Sequence, residues 1–271
     1  LLTRLFGLDG RVAVVVGGAG RIGRALCQGL SEAGATVCVL DVDAAAAAEV
    51  AQRVGRQTGR PTLAVPADVT REESLEGAVR LASALGPPDI LVNSAQFRGE
   101  GFYSSSPEDY PRGPWEQVLR TNLTGVHLAC QAFGRAMKVH GVGSGGTGTG
   151  GGSIINLAST YGLVSPDPRI YGDSGVNSPP AYGAAKAGVI QLTRYLAVHW
   201  RNDGIRVNCL VPGGVFDGQD EAFVAEYCRR TPLGRMARPE DYVGPVLFMA
   251  SAASAYMTGA VVAVDGGWTA W

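Results

Sequence analysis

The chain has 271 residues, 46% of them hydrophobic, and a formal net charge of -1. That length and apolar content suit a sizeable buried core in one α/β sheet covered on both faces. Acids and bases are interspersed without a Lys/Arg-rich block, which argues against a nucleic-acid partner.

The opening LLTRLFGLDG lacks an apolar core long enough for a signal peptide, and no run approaches the ~20 apolar residues of a membrane span. RVAVVV (11–16) is too continuously apolar for a half-exposed strand and predicts one buried on both sides. The turn VGGAGRIG (16–23) follows, then a helix ending near Gly34, a natural C-cap. TVCVLD (36–41) predicts a second strand and an alanine-rich helix from about 44 to 57 comes after it. TLAVPADV (62–69), DILVNSA (89–95), GSIINLAS (152–159), IRVNCLVPGG (205–214) and AVVAVDGG (260–267) repeat the pattern, with helical sequence between them, including long helices near 114–140 and 181–202. Strands alternating with helices imply an α/β protein: a single doubly wound parallel seven-stranded sheet, one domain over 1–271. The glycine-rich GVGSGGTGTGGGS (141–153) runs into a strand rather than a helix, so it lacks the aligned N–H groups that hold an anion and reads as a flexible surface loop. The five cysteines (Cys27, Cys38, Cys130, Cys209, Cys228) form no CxxC pair, and His127, His140 and His199 have no partner at metal-ligand spacing. No disulfide framework and no metal are expected, and the protein reads as soluble and cytoplasmic, without a membrane partner.

The first turn carries Gly17, Gly20 and Gly23 at G-x-x-G-x-x-G spacing, with Arg21 and Ile22 between the last two. Opening a helix after a buried strand, it suits a pyrophosphate at the helix N-terminus, although a tight strand-to-helix turn explains the glycines equally well. Asp41 ends the second strand 24 residues after Gly17. A carboxylate there accepts from both hydroxyls of an adenosine ribose and repels a 2′-phosphate, so NAD is expected. Arg21 keeps NADP open, because a guanidinium in the turn suits an extra phosphate. Asp68, beside Val69, is placed to accept from an adenine amino group; its alternative is a helix N-terminal acid.

AYGAAKAG (181–188) sets Tyr182 and Lys186 one helical turn apart on one face, among small residues that leave room for a flat ring. Bringing a phenol from pH ~10 to ~7 requires roughly 4 kcal/mol of preference for the phenolate. A nearby ammonium supplies part of it, and an oxidised nicotinamide supplies more, giving a general acid/base poised near working pH.

At these residues the chain resembles the short-chain dehydrogenase/reductase family. The ordered set is the glycine turn, Asp41, Asp68, NSAQ (93–96), TNLTG (121–125), INLAST (155–160), YGAAK (182–186), VPGG (211–214) and VDGGW (264–268). The resemblance implies a Rossmann-like fold, with Tyr182 as catalytic acid/base and Lys186 binding the nicotinamide ribose and depressing the tyrosine pKa. Ser159 would hydrogen-bond the substrate oxygen, and Asn122 would hold a water linking Lys186 to solvent. Asn93, Ser94, Ala95, Pro212, Gly213 and Val215 join the implied cofactor site, and the implied assembly is a homotetramer with the two long helices at one interface. Taken singly, Ser159 could cap a turn, Asn122 satisfy a buried backbone and Lys186 be a solvated charge. Val16, Arg21 and Gln96 depart from the family pattern. The sequence after 231 is similar to dehydrogenases of flagellin-modification and surface-sugar pathways.

Between Ser159 and Tyr182 lie more residues than the family usually has there. This substrate-side insertion, 160–181, contains four prolines and no hydrophobic period, so it is expected to be an ordered loop. Tyr161, Arg169, Tyr171, Asp173 and Asn177, with Gln96 and Arg98 and the nearby Arg112, are expected to shape the substrate pocket; packing on a neighbouring subunit is the alternative for the insertion. The segment 214–231 is expected to close over the site. The reading is an NAD(P)-dependent oxidoreductase interconverting a secondary alcohol and a carbonyl on a polar or carbohydrate-like small molecule. Its alternatives are a nucleotide-sugar epimerase or dehydratase with tightly bound NAD, and a catalytically idle NAD-binding sensor.

Overall fold

Strands β1 (Val12–Val16), β2 (Thr36–Asp41), β3 (Thr62–Pro66), β4 (Pro88–Asn93), β5 (Ser153–Leu157), β6 (Arg206–Pro212) and β7 (Val261–Val264) pair in one parallel sheet, ordered β3-β2-β1-β4-β5-β6-β7. This is a computed structural model, and it describes residues 1–99, 102–103, 106–141 and 151–271. Most of the glycine-rich loop expected at 141–153 therefore lies outside the described residues. The helices are α1 (Leu2–Phe6), α2 (Arg21–Glu32), α3 (Ala44–Thr58), α4 (Glu72–Ser83), α5 (Arg112–Leu119), α6 (Gly125–Gly141), α7 (Pro180–His199), α8 (Glu221–Arg230) and α9 (Val243–Ala250).

Every residue of β1 and β5 is buried, because helices cover both faces. Val12, Val14 and Val16 pack into the core with Phe133 of α6 and Val189 of α7. The alternate residues Ala13 and Val15 pack oppositely, with Leu26 of α2, Val50 of α3 and Val246 of α9. The period-2 projection of a strand thus feeds two separate cores, which is why the run had to be apolar throughout. Helix ends follow local chemistry: Asp43 caps α3 by accepting from the Ala46 N–H at 3.0 Å, and Gly59, left-handed at φ 69°, stops it.

Three segments differ from the sequence expectation. The long helix near 114–140 is interrupted by a π-helical stretch, Arg120–Thr124, between α5 and α6. A π turn accommodates one extra residue and re-aims the side chains it carries, here Asn122. The insertion contains two short 3-10 turns, Thr160–Gly162 and Pro168–Tyr171, the second capped by Asp167. Half of 214–231 is α8, capped by Asp220, which accepts from the Phe223 N–H. β1 lies between β2 and β4, so the strand order reverses there and opens a crevice beyond the carboxyl ends.

Candidate active site

A cleft of about 1170 Å³ occupies that crevice. Its adenosine end begins at Gly17, where φ is 71° and a Cβ would fall 2.6 Å from the Ala95 N and Cα atoms. The turn after β1 and the loop after β4 therefore touch through backbone, which only glycine permits. Gly23 does a different job from the one expected of it. A Cβ there would meet the Gly17 carbonyl at 2.1 Å, so Gly23 seats the turn on α2, while Gly17, Gly20, Arg21 and Ile22 line the cleft. No side chain caps α2, whose N-cap is Gly20, and its dipole and terminal N–H groups are left for an anion.

Asp41 lines the cleft and buttresses the turn, accepting from the N–H of Ala19 at 3.0 Å and of Asp43 at 3.2 Å. Asp68 accepts from the Thr70 N–H and hydroxyl, both at 2.8 Å, and stands in the wall with Val69. Ser94, Ala95, Pro212, Gly213 and Val215 complete this wall. An uncapped helix, a glycine cradle and a carboxylate at the end of β2 fit a dinucleotide.

Of the expected cofactor residues, Arg21 lines the cleft with its charge already paired, and Asn93 lies beneath it. Arg21 ion-pairs with Asp217 and donates to the Phe216 carbonyl at 3.3 Å, so its charge is already matched. Asn93 is 2% exposed and does not line the cleft. Its Nδ2 donates to Asn156 Oδ1 at 2.8 Å, and Asn156 Nδ2 donates to Thr193 Oγ1 at 3.0 Å. Cys130 Sγ abuts both asparagines, making a polar seam that joins β4, β5, α6 and α7 beneath the cleft.

At the reacting end, Ser159 N-caps the first 3-10 turn, accepting from the Tyr161 N–H at 3.2 Å. Tyr182 and Lys186 share one face of α7, with Nζ 5.8 Å from the tyrosine ring centroid. Lys186 is 3% exposed and donates to the Leu157 carbonyl at 2.9 Å. Burial lowers its pKa to about 8, and the charge of Arg98 acts in the same direction. Burial raises the Tyr182 phenol above its ordinary value, and hydrogen bonding by Ser159 and the charge of Arg98 oppose this. Burial thus outweighs Ser159 and Arg98 at the phenol, which leaves to a bound cofactor's positive charge the further share that the sequence reading assigned to it. Asn122 is wholly buried in the π turn. Its Oδ1 accepts from the Phe97 N–H at 2.7 Å, and its Nδ2 has no partner among the described residues.

The family model described as Enoyl-(Acyl carrier protein) reductase matches residues 17–269. Galactitol 2-dehydrogenase (L-tagatose-forming) from Cereibacter sphaeroides is 35% identical, covering 98% of each chain. The chain belongs to the short-chain dehydrogenase/reductase family. D-threitol dehydrogenase from Mycolicibacterium smegmatis is 32% identical over 97% of this chain and 95% of its own. Among solved structures, a gluconate 5-dehydrogenase from Burkholderia cenocepacia J2315 in complex with NADP and tartrate matches with a TM-score of 0.86 and 31% identity, covering 100% of both chains. This short-chain dehydrogenase/reductase is accordingly an NAD(P)-dependent oxidoreductase.

Gln96, Arg98, Tyr161 and Tyr171, all expected to shape a substrate pocket, line the dehydrogenase's cleft. The Tyr161 and Tyr171 hydroxyls lie 3.5 Å apart. Arg169, Asp173 and Asn177 do not line the cleft; Ser174, Val176 and Ser178 of the same segment do. Arg169 turns outward, with its side chain 81% exposed and paired with Asp167, because a short 3-10 turn points successive side chains in divergent directions. Arg112 is likewise outside the wall, paired with Glu116 one turn along α5.

Sequence reasoning expected 214–231 to cover this enzyme's cleft but named none of that segment's side chains that form the roof. Tyr171 packs on Phe223, and Tyr227 accepts from the Gly214 N–H while stacking on Trp268 at 4.3 Å. Arg230 ion-pairs with Asp167 and lies over the Trp268 ring at 5.6 Å. The signal was the i, i+4 pair Phe223 and Tyr227 on α8.

Proposed function

We propose that the enzyme interconverts a secondary alcohol and the corresponding carbonyl on a polyol or carbohydrate-like substrate, with NAD as preferred cofactor. The observation that carries this is the convergence of Ser159, Tyr182 and Lys186 on one end of a cleft whose other end presents Asp41. The bound dinucleotide supplies the hydride acceptor and a positive charge beside the phenol. In oxidation the phenolate of Tyr182 takes the carbinol proton, and Ser159 holds the oxygen. Lys186 favours the ionised phenol and carries the proton on toward Asn122, whose unpartnered Nδ2 suits a water. The sugar-alcohol activities named for the Cereibacter and Mycolicibacterium relatives support the substrate class.

For the cofactor, Asp41 faces the ribose end, its neighbour Val42 is exposed and uncharged, and the guanidinium of Arg21 is engaged by Asp217. These favour NAD even though the Burkholderia neighbour carries NADP. We further assign the enzyme to the cytoplasm, in keeping with five unpaired cysteines. The assembly proposed is a homotetramer.

Absorbance of the reduced cofactor, followed over a panel of polyols and sugar acids, tests the reading. Turnover should prefer NAD over NADP by about 10-fold or more. Tyr182→Phe should lower kcat by about 10³-fold while calorimetry shows NAD still bound. Net cofactor reduction by none of the panel would refute the proposal.

A further inference from the structure

Arg98 follows β4 and lines the cleft with Tyr182, Ser159 and Lys186. It stands in the same wall as the phenol, and its charge bears on both Tyr182 and Lys186. Two cations thus line the cleft together with Tyr182 and Ser159. Among the described residues, the acids of the cleft wall are Asp41, Asp43, Asp68, Asp217 and Asp220. Asp41 ends β2 and Asp68 follows β3, two and three strands from the β4 that carries Arg98, at ~4.8 Å each. Asp43 caps α3, Asp220 caps α8 and Asp217 pairs with Arg21. None of these balances the guanidinium. The same wall includes Phe97, Phe102, Tyr103 and Gln96, whose buried Nε2 has no partner among the described residues.

Resting on the oxidoreductase reading above, we infer that Arg98 is the receptor for a carboxylate of the substrate, and that the preferred alcohol is a hydroxy acid. A guanidinium binds a carboxylate through two parallel hydrogen bonds, a geometry a lone hydroxyl does not use. Because Arg98 and Tyr182 share one cleft wall, the carboxylate belongs to the same small molecule as the reacting carbinol. In oxidation the C–H hydride passes to the nicotinamide, the O–H proton passes to Tyr182 and the C=O bond forms. The product is the oxo acid, and the carboxylate stays on Arg98 unchanged.

The experiment compares the enzyme with Arg98→Gln and Arg98→Lys on matched substrates: aldonates against alditols of the same carbon count, and 3-hydroxybutyrate against its amide. The native enzyme should favour the acids in kcat/KM, and Arg98→Gln should reduce the acid-to-neutral ratio by about 10-fold or more. Arg98→Lys, which keeps the charge and loses the fork, should fall between them. Malonate binding by calorimetry gives a second readout, present in the native protein and lost in Arg98→Gln. An unchanged ratio would mean that Arg98 acts only through Tyr182, and would overturn the inference. If no alcohol of either kind is turned over, the oxidoreductase reading falls, and malonate decides Arg98 alone: equal binding by native and Arg98→Gln proteins rejects the receptor, and loss in the variant upholds it.

Discussion

Lys186 brings a charge to a place water barely reaches, held by one carbonyl 2.9 Å away. Its pKa falls from 10.5 to about 8, equivalent to about 3 kcal/mol of disfavoured charge. Because the folded value lies below the unfolded one, the cost is complete below pH 8 and disappears as pH rises toward 10.5. Lys186→Met, which also forfeits a hydrogen bond of about 1 kcal/mol, should therefore be more stable than the native enzyme by about 2 kcal/mol at pH 7. Urea unfolding at pH 7 and pH 10 should show that advantage shrinking with pH, in a protein that no longer turns over. The pair was legible in sequence because i, i+4 on a helix fixes a shared face whatever the surroundings. Arg21 was legible only in part: its partner Asp217 belongs to a loop far along the chain, and no local pattern announces such a pairing. The effect of burial on Tyr182 was hidden for the same reason, since desolvation depends on everything packed around the phenol.

Among the elements, the roof shows what an irregular segment conceals. The insertion 160–181 is tied to α8 by Asp167–Arg230 and by the Tyr171–Phe223 contact, with Trp268 beneath Arg230. Removing that tie should loosen the substrate end and leave the distant cofactor end alone. Arg230→Ala is expected to raise substrate KM several-fold, about 1 kcal/mol, while NAD affinity measured by calorimetry stays within about 2-fold. A matching loss of NAD affinity would show that the roof holds both ligands. That the segment faces the cleft followed from its start at a strand's carboxyl end. Which of its side chains turn inward did not, because without a helical or strand period nothing fixes direction: Tyr171 enters and Arg169 leaves. The π turn was equally opaque, since its sequence is ordinary helical sequence and only packing forces the extra residue.

At the scale of the molecule, continuous apolar runs made all seven strands readable, and the alternation of strand and helix dictated a parallel sheet. The proposed tetramer is a different matter. Of the small residues Ala184, Ala185 and Gly188 that would let α7 pack closely between subunits, Ala184 is exposed, Ala185 is buried and Gly188 lies against Leu123. The outer face of α7 also presents Tyr195 and Val198, 63% and 65% exposed. If that face joins subunits, native enzyme should scatter light as about four chains, and the double change Tyr195→Asp with Val198→Asp should yield smaller species. A native monomer would dismiss the assembly.

The seam of Asn93, Asn156 and Thr193 carries a consequence for how such an enzyme can vary. Sliding α7 along the sheet by a single turn, about 5.4 Å, would strand amide and hydroxyl groups in hydrocarbon. The seam works as a key in a shaft: it indexes the helix bearing the phenol to the strands that carry everything opposite it. Drift of substrate preference is thereby channelled into the coverings above the cleft, which can be rebuilt without the reacting groups losing their alignment.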